Sequence, residues 1–540
     1  MSTEQSPLLP KAQQGPSRLD FVLLMMGVWS LVFISSLDGT IVATLISTIG
    51  SDLENMQLSS WIGTAYLLSL CAFTPLYGRL ANILGRRPSI LFAGTLFGAA
   101  TVLCGFAQNM TQLIALRALA GAGSSGMTVV GSVVMSDSVP LKSRGLYQGF
   151  ANLLFGLGAA VGGPLGGWLG DTIGWRAAFV CQAPFLVVAL ILLFSKVREP
   201  ESPLAPTNTT IYVKLKRIDY AGSATLVAAL VTFLIGLNIK TTTSRQWGDS
   251  QVLGLLVAGI VLLCFFVWIE LRYASEPVMP FSMISRRTPG FVALNNFLVS
   301  ILIFSTIYNI PLYWTAARLR SSTNAGAHLI PYSVCVSIGS LSAGWYMRKT
   351  GRYWKLQALA GLCMVVPNII MATWTTETPE WVFYATVAPT GLGYAATLTT
   401  TLLALIASVA RDDIPVATAL SYLFRTSGQS LGVSLSAALT QTLLARNLRA
   451  RITGEDADEI ITKILDSTAY IHTLPQELQA KAMTSWAIAL RALFYCQIGL
   501  SVAVLLSLLP IEEYSLPDTV AGKPVRHTTS EERDAEAREE

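Results

Sequence analysis

Three ionisable side chains stand inside apolar stretches, where charge is costly. Asp38 lies in "LVFISSLDGTIVATLIS" (Leu31 to Ser47), within an apolar run that begins near Phe21. An ionised carboxylate at the centre of a bilayer costs about 3 kcal/mol even on lenient insertion scales. Desolvation makes a carboxyl hold its proton, and a neighbouring cation makes it release one. A group alternating between those settings can load and unload a proton. The plainer reading is an acid held by the Ser35, Ser36 or Thr40 hydroxyls. Arg117, in "ALRALAGAGSSG", falls at a depth like that of Asp38 and can pair with it. Protonating Asp38 would then loosen its hold on Arg117; a static ion pair is the alternative. Arg425, in "FRTSGQSLGVSLS", can meet a substrate carboxylate, act in gating, or anchor structure by hydrogen bonds. Tyr66, Tyr308 and Trp314 offer ring faces to a cationic group. Such aromatics also serve as packing or interfacial anchors.

No nucleophile or metal constellation accompanies these residues. Of the three histidines, His472 and His527 fall in a loop and a tail, and His328 stands by itself. The seven cysteines are scattered singly, without metal spacing. Enzyme chemistry, a metal and a cofactor are therefore not expected.

The elements that position these side chains follow from composition. Charged residues are 13% of the 540, against roughly 25% in soluble proteins. Apolar blocks of spanning length recur along the chain. They fall at about 21–48, 58–77, 88–108, 112–135, 145–169 and 175–195, then 218–239 and 251–272. Six more fall at about 291–316, 325–347, 354–374, 381–408, 413–444 and 486–510. The expected fold is an all-α membrane protein of fourteen transmembrane helices. Residues 1–20 are expected to be an N-terminal tail, 21–195 to hold six spans (a six-helix bundle in the fold implied below), and 196–217 to be a polar linker with Pro200, Pro203 and Pro206. Two linking helices (218–272), a second six-helix bundle (273–510) and a disordered tail (511–540) follow.

Lysine and arginine set the orientation. Arg79, Arg86, Arg87, Lys142, Arg144, Lys196, Arg198, Lys214, Lys216, Arg217, Arg272, Arg286, Arg287, Arg348, Lys349 and Arg352 cluster in alternate loops, so both termini are expected in the cytosol. The net charge of +5 comes from these loops and is no nucleic-acid signal. No cleavable signal peptide is apparent.

"GRLANILGRR" (Gly78–Arg87) and "GWYMRKTGRY" (Gly344–Tyr353) both read Gly, six residues, Gly, Arg, each after a corresponding helix. Duplicated halves with a mid-membrane site between them mark secondary transporters. In "GLGAAVGGPLGGWLGD", Gly156, Gly158, Gly162, Gly163, Gly166 and Gly167 let a neighbouring helix approach closely. With Pro164 they also make a bendable segment.

"GRLANILGRR" resembles the loop signature of the major facilitator superfamily. "LDGTIVATL", "ALRALAGAGSSG", "GLGAAVGGPLGGWLGD", "GWRAAF" and "FRTSGQSLGVSLS" are similar to motifs of its fourteen-span proton-antiporter branch, covering most of residues 30–440. The resemblance implies two six-helix bundles plus two linking helices. It also implies a latch built on Gly78, Asn82, Gly85, Arg86 and Arg87, with Asp137 and Arg144 pairing with the loop arginines. Two departures stand out: Asn82 replaces the usual acid, and Pro164 sits one residue late. Within the superfamily, "SSLDGTIVATL", "FTPLYGRL", "RGLYQGFANLLFGLGAAVGGPLGG" and "IGWRAAF" resemble fungal vacuolar basic amino acid transporters. That likeness implies a proton antiporter moving Lys, Arg and His from cytosol to vacuole. "EQSPLL", with Glu4 before Leu8 and Leu9, reads as an acidic dileucine address for a sorting adaptor. A plasma-membrane exporter of drugs or metabolites shares nearly every motif, and a non-transporting nutrient sensor fits too. Asn109 opens a glycosylation sequon, and residues 455–485 are expected to hold a short amphipathic helix.

Overall fold

The computed structural model describes residues 17–55, 58–59, 61–198, 218–242, 248–274, 277–320, 328–375, 378–453, 456–466 and 468–517. The dileucine segment, most of the polar linker and residues 518–540 lie outside them. The regular structure of the described residues is helical. The first half holds α1 (Arg18–Asp52), α2 (Trp61–Ile83), α3 (Arg86–Cys104), α4 (Met110–Ser138), α5 (Leu141–Thr172), α6 (Trp175–Val180) and α7 (Ala183–Lys196). A hairpin of α8 (Tyr220–Thr242) and α9 (Ser250–Arg272) follows. The second half holds α10 (Arg287–Leu312), α11 (Ile330–Thr350), α12 (Trp354–Ala372), α13 (Glu380–Ser408) and α14 (Ile414–Arg451). It closes with α15 (Ala457–Asp466) and α16 (Gln476–Leu508).

Local chemistry sets the boundaries. Asn109 Oδ1 accepts the Gln112 N–H at 2.9 Å and caps α4, so the sequon asparagine is engaged in a helix start. Gly351, at φ 69°, ends α11 in the left-handed conformation that glycine adopts freely. Pro140, Pro379 and Pro475 precede α5, α13 and α16. Pro475 also divides the expected amphipathic stretch: its helix is only Ala457–Asp466, and the residues from Gln476 belong to α16. At its far end α1 is tied to α6 by Asp52 Oδ2, which accepts from Trp175 Nε1 at 3.0 Å and Arg176 Nη1 at 2.9 Å. Those donors, Trp175 first, hold the Asp52 carboxyl below its ordinary value.

The two halves pack alike. In the first, α1 lies on α5 and α7, while α4 lies on α2 and α3. In the second, α10 lies on α14 and α16, while α13 lies on α11 and α12. This is the duplication that the two Gly-six-Gly-Arg loops announce. The halves meet along two seams, α5 with α11 and α2 with α14.

Among the described residues eleven helices are long and apolar enough to cross a membrane, α6 and α7 counting as one. The long helices that fall short are α2, α11 and α14. Each is a seam helix facing the other half, so fewer of its side chains need to satisfy lipid.

The seams are tight toward the end that carries Arg86, Arg144, Arg348 and Arg352, called here the basic end. There a Cβ at Gly344 would collide with the backbone of Gly145 and Leu146. A Cβ at Gly78 would collide with Ala419 and lie 2.8 Å from Pro415 O. Asn152 Nδ2 donates across to Ser340 Oγ at 2.8 Å. The basic end is therefore shut.

The C-terminal segment takes part in this closure, contrary to the expectation of a disordered tail from residue 511. Ile511 and Leu516 are buried, and Lys142 N–H donates to Pro517 O at 3.3 Å. Glu513 Oε1 accepts the Tyr353 and Trp354 N–H groups at 2.8 and 3.1 Å, capping α12. Two apolar side chains and one capping acid are enough to hold a segment this short.

Candidate functional site

Asp38 projects from α1 into the interior of the first bundle, where Arg117 of α4 reaches it. Nη1 lies 2.8 Å from Asp38 Oδ2, and both side chains are excluded from solvent, at 1% and 0% exposure. None of Ser35, Ser36 and Thr40 bonds to the carboxylate. Ser36 Oγ donates to Phe155 O at 2.6 Å, and Thr40 Oγ1 to carbonyls of its own helix. The second carboxylate oxygen is met by a residue that sequence reasoning missed. Gln182 Nε2 donates to Asp38 Oδ1 at 3.3 Å, from the break between α6 and α7. Its signal was present in "AAFVCQAPF", a polar amide within an apolar run.

Tyr66, expected at the substrate pocket, belongs to this ion pair instead. Its ring lies under the Arg117 guanidinium, 4.5 Å from centroid to Cζ. Its hydroxyl donates to Ser124 Oγ at 2.7 Å, and Ser124 is also 2.7 Å from Ser35 Oγ. Arg117 Nε and Gln182 Oε1 have no hydrogen-bond partner. A buried pair held so sparingly depends on each partner: removing one leaves an uncompensated charge, at about 3–5 kcal/mol.

The helix-five glycines divide into two groups. Gly158, Gly162 and Gly166, four residues apart, face α1, where Cβ atoms would run into Phe33 O, Thr40 Oγ1 and Thr44 Oγ1 respectively. Gly167 meets nothing within 4 Å and Gly163 only Thr44 Cγ2 at 3.8 Å. α5 continues through Pro164. It thus carries the Asp38 helix on one side and the α11 seam on the other.

At the basic end, Arg86 Nε lies 3.1 Å from Asp137 Oδ2, and Arg86 Nη1 3.0 Å from Ala81 O. Asn82 crosses the seam. Its Nδ2 donates to Asp412 O at 3.0 Å, reaching the other half just before α14. Arg144 does not pair with the loop arginines, which share its sign. It is buried, bears on Asp137 and Tyr422, and leaves Nε and Nη2 without partners. Arg87 stacks on Phe194, 4.2 Å from Cζ to ring centroid.

Between the halves lies a pocket formed by Gln148 and Asn152 of α5, Asn296 of α10, Leu398, Thr399 and Leu402 of α13, and Ser421, Tyr422 and Arg425 of α14. The side chains that bear most on Arg425 are Tyr394, Tyr422 and Tyr332, with no carboxylate among them. Gln148 Oε1 is buried and unpartnered. Trp314 is not at this pocket. It is fully buried in an aromatic cluster, stacked on His328 at 3.7 Å and edge-on to Phe383 at 4.7 Å. Tyr308 is half exposed and does not line the pocket. Among the described residues no group of three or more His, Cys, Asp or Glu could hold a metal.

Two matching bundles, a shut seam and a pocket between them agree with a family model, Major Facilitator Superfamily, which matches residues 28–433. The chain belongs to the Major Facilitator Superfamily. It is a multi-pass membrane transporter of small molecules and not an enzyme. It is 36% identical over 497 residues to the multidrug resistance protein fnx1 of Schizosaccharomyces pombe, covering 91% of this chain and 92% of that one. The vacuolar membrane amino acid uptake transporter fnx2 of the same yeast is 34% identical, over 83% of this chain and 77% of its own. Vacuolar basic amino acid transporter 2 of Saccharomyces cerevisiae is 30% identical, over 80% and 93%. Among solved structures, the human organic anion transporter MFSD10 superposes with a TM-score of 0.57 at 14% identity, covering 92% of this chain and all of that one. The proton:xylose symporter XylE gives 0.54 at 14%. Identities this low speak for the superfamily fold alone.

Proposed function

We propose that this transporter exchanges protons for amino acids, basic ones among them, across the vacuolar membrane, carrying substrate from cytosol to lumen. In this reading fourteen helices cross the bilayer, both termini are cytosolic and the basic end is the cytosolic gate. Protons leaving the acidic lumen through Asp38 drive substrate in. The observation that carries the substrate assignment is Arg425, a cation in the inter-bundle pocket with no acid among the described groups that bear most on it. An amino acid carboxylate supplies the countercharge, and Gln148 Oε1 supplies an acceptor for the ammonium group. The vacuolar relatives support the same substrate class.

The test is uptake of labelled lysine, arginine and histidine into energised vacuole vesicles. An uncoupler should abolish it, and Arg425→Gln should lower it about 10- to 100-fold, the worth of a hydrogen bond to a charged group. Uptake indifferent to the uncoupler rules out antiport, and uptake indifferent to Arg425→Gln rules out the carboxylate site.

The similarity to a multidrug resistance protein favours a second reading, export of drugs or metabolites at the cell surface. The pocket mixes both characters: Gln148, Asn152, Asn296, Thr399, Ser421 and Arg425 stand beside Leu398, Leu402 and Tyr422, and Trp314 lies elsewhere. The Glu4, Leu8, Leu9 signal separates the two readings. Changing Leu8 and Leu9 to alanine should move the protein from vacuole to cell surface, as imaging of a tagged chain would reveal. A wild-type chain already at the surface favours the exporter.

A further inference from the structure

Two carboxyl groups, a half-buried Asp219 and a buried Glu270, meet at the basic end of the α8–α9 hairpin. Asp219 immediately precedes α8, and its Oδ1 accepts the Gly222 N–H at 2.8 Å. Glu270 lies in the last turn of α9, at 6% exposure, and its Oε1 accepts the Met279 N–H at 2.5 Å. Each group thus commits one oxygen to nearby backbone. The remaining oxygens, Asp219 Oδ2 and Glu270 Oε2, are buried without a donor. They converge on one point: a Cβ at Gly222 would collide with Asp219 Oδ2 and lie 3.1 Å from Glu270 Oε2.

Two adjacent carboxylates out of water cannot both stay ionised without a large cost. Two acceptor oxygens left without a donor beside the same point each gain from a hydrogen placed there. The charged groups bearing on Glu270 are Asp219 and, from α2, Arg79 of the Gly78–Arg87 loop. One proton on the pair leaves a single negative charge, which Arg79 balances.

We propose that Asp219 and Glu270 bind one proton between them, a proton-binding site separate from Asp38. Its position gives that proton a consequence. α8 packs on both α2 and α14, with Leu234 and Leu237 clustered against Leu68, Cys71 and Leu423. A change in how α2, which carries Arg79, packs against α14 therefore reaches the pair. The proton's hold then depends on whether the basic end is shut. The site rests on the hairpin's own geometry and stands whether or not the amino acid reading holds.

The test uses the full chain in lipid nanodiscs, titrated across the neutral range while the infrared carboxylic-acid C=O band is followed. The wild type should show a band that bleaches with rising pH. Asp38→Asn should keep that component, while Glu270→Gln and Asp219→Asn should each lose it. The same chain should melt at lower temperature as pH rises, because the native state holds a proton the unfolded state lacks. Glu270→Gln, whose amide donates to Asp219, should flatten that profile. A band component that persists in both variants overturns the proposal. Should one variant fail to fold, the other carries the test, and a wild-type melting profile flat with pH overturns it without either.

Discussion

Asp38→Asn is expected to abolish uptake driven by a pH gradient while leaving the protein in the membrane and substrate bound at Arg425. Asparagine keeps the shape of aspartate and can still accept from Arg117, but it can neither take up nor release a proton. The wild-type pair is 2.8 Å long and shielded from solvent, so water has no access to it in this conformation. Losing the carboxylate leaves Arg117 as a buried unpaired cation, costing about 3–5 kcal/mol. Gradient-driven uptake should fall at least about 100-fold, corresponding to a little under 3 kcal/mol. Counterflow exchange without a gradient should survive better. A double variant separates proton carriage from a static ion pair. Asp38→Asn with Arg117→Gln removes both charges, so stability should return by non-additive coupling. Transport that returns with it would mean the pair only holds the bundle together. Transport that stays lost, in a chain melting like the wild type, assigns the proton to Asp38.

The pair was legible in sequence because two opposite charges in apolar runs at like depth have few other places to go. The duplicated architecture was legible from two loops of equal spacing. The azimuth of a side chain around its helix was not. Tyr66 and Trp314 are aromatic residues in membrane-length helices, and lipid belt, core and pocket all suit such rings. Packing sends Tyr66 under Arg117 and Trp314 onto His328. Gln182 escaped notice because a neutral amide in an apolar run costs less than a charge and draws less attention. The seam helices show the reverse limit. α2, α11 and α14 fall within blocks read as apolar spans, yet they are less apolar than the other long helices, because each faces the other half.

Gly344→Leu is expected to hold the basic end open. Gly344 lies inside α11, where glycine is less favourable than most residues by about 1 kcal/mol, so helix propensity alone would make leucine an improvement. What forbids it is the partner helix. Gly145 of α5 presents bare backbone against Gly344, and any Cβ there overlaps Gly145 and Leu146. Backbone cannot turn aside as a long side chain can, so overpacking of about 1–3 kcal/mol falls on the shut form alone. In a chain with one conformation this would show as lost stability. In a chain that alternates, it shifts the balance toward the form in which α5 and α11 have parted, by roughly 5- to 150-fold at that energy. The reporter is Ser340, one turn away and buried at 0% exposure, where it sits in a chain of bonds with Asn152 and Thr399. A cysteine at that position should be silent to a hydrophilic maleimide in the wild type and labelled in the Gly344→Leu background, with uptake reduced more than about tenfold. Gly167→Leu, which meets nothing within 4 Å, is the matched control and should do neither. Silence at position 340 with normal uptake in Gly344→Leu would show that the contact between Gly145 and Gly344 is not a gate. Labelling with lost uptake would mean that two hydrogen atoms, where side chains could have been, let the halves close.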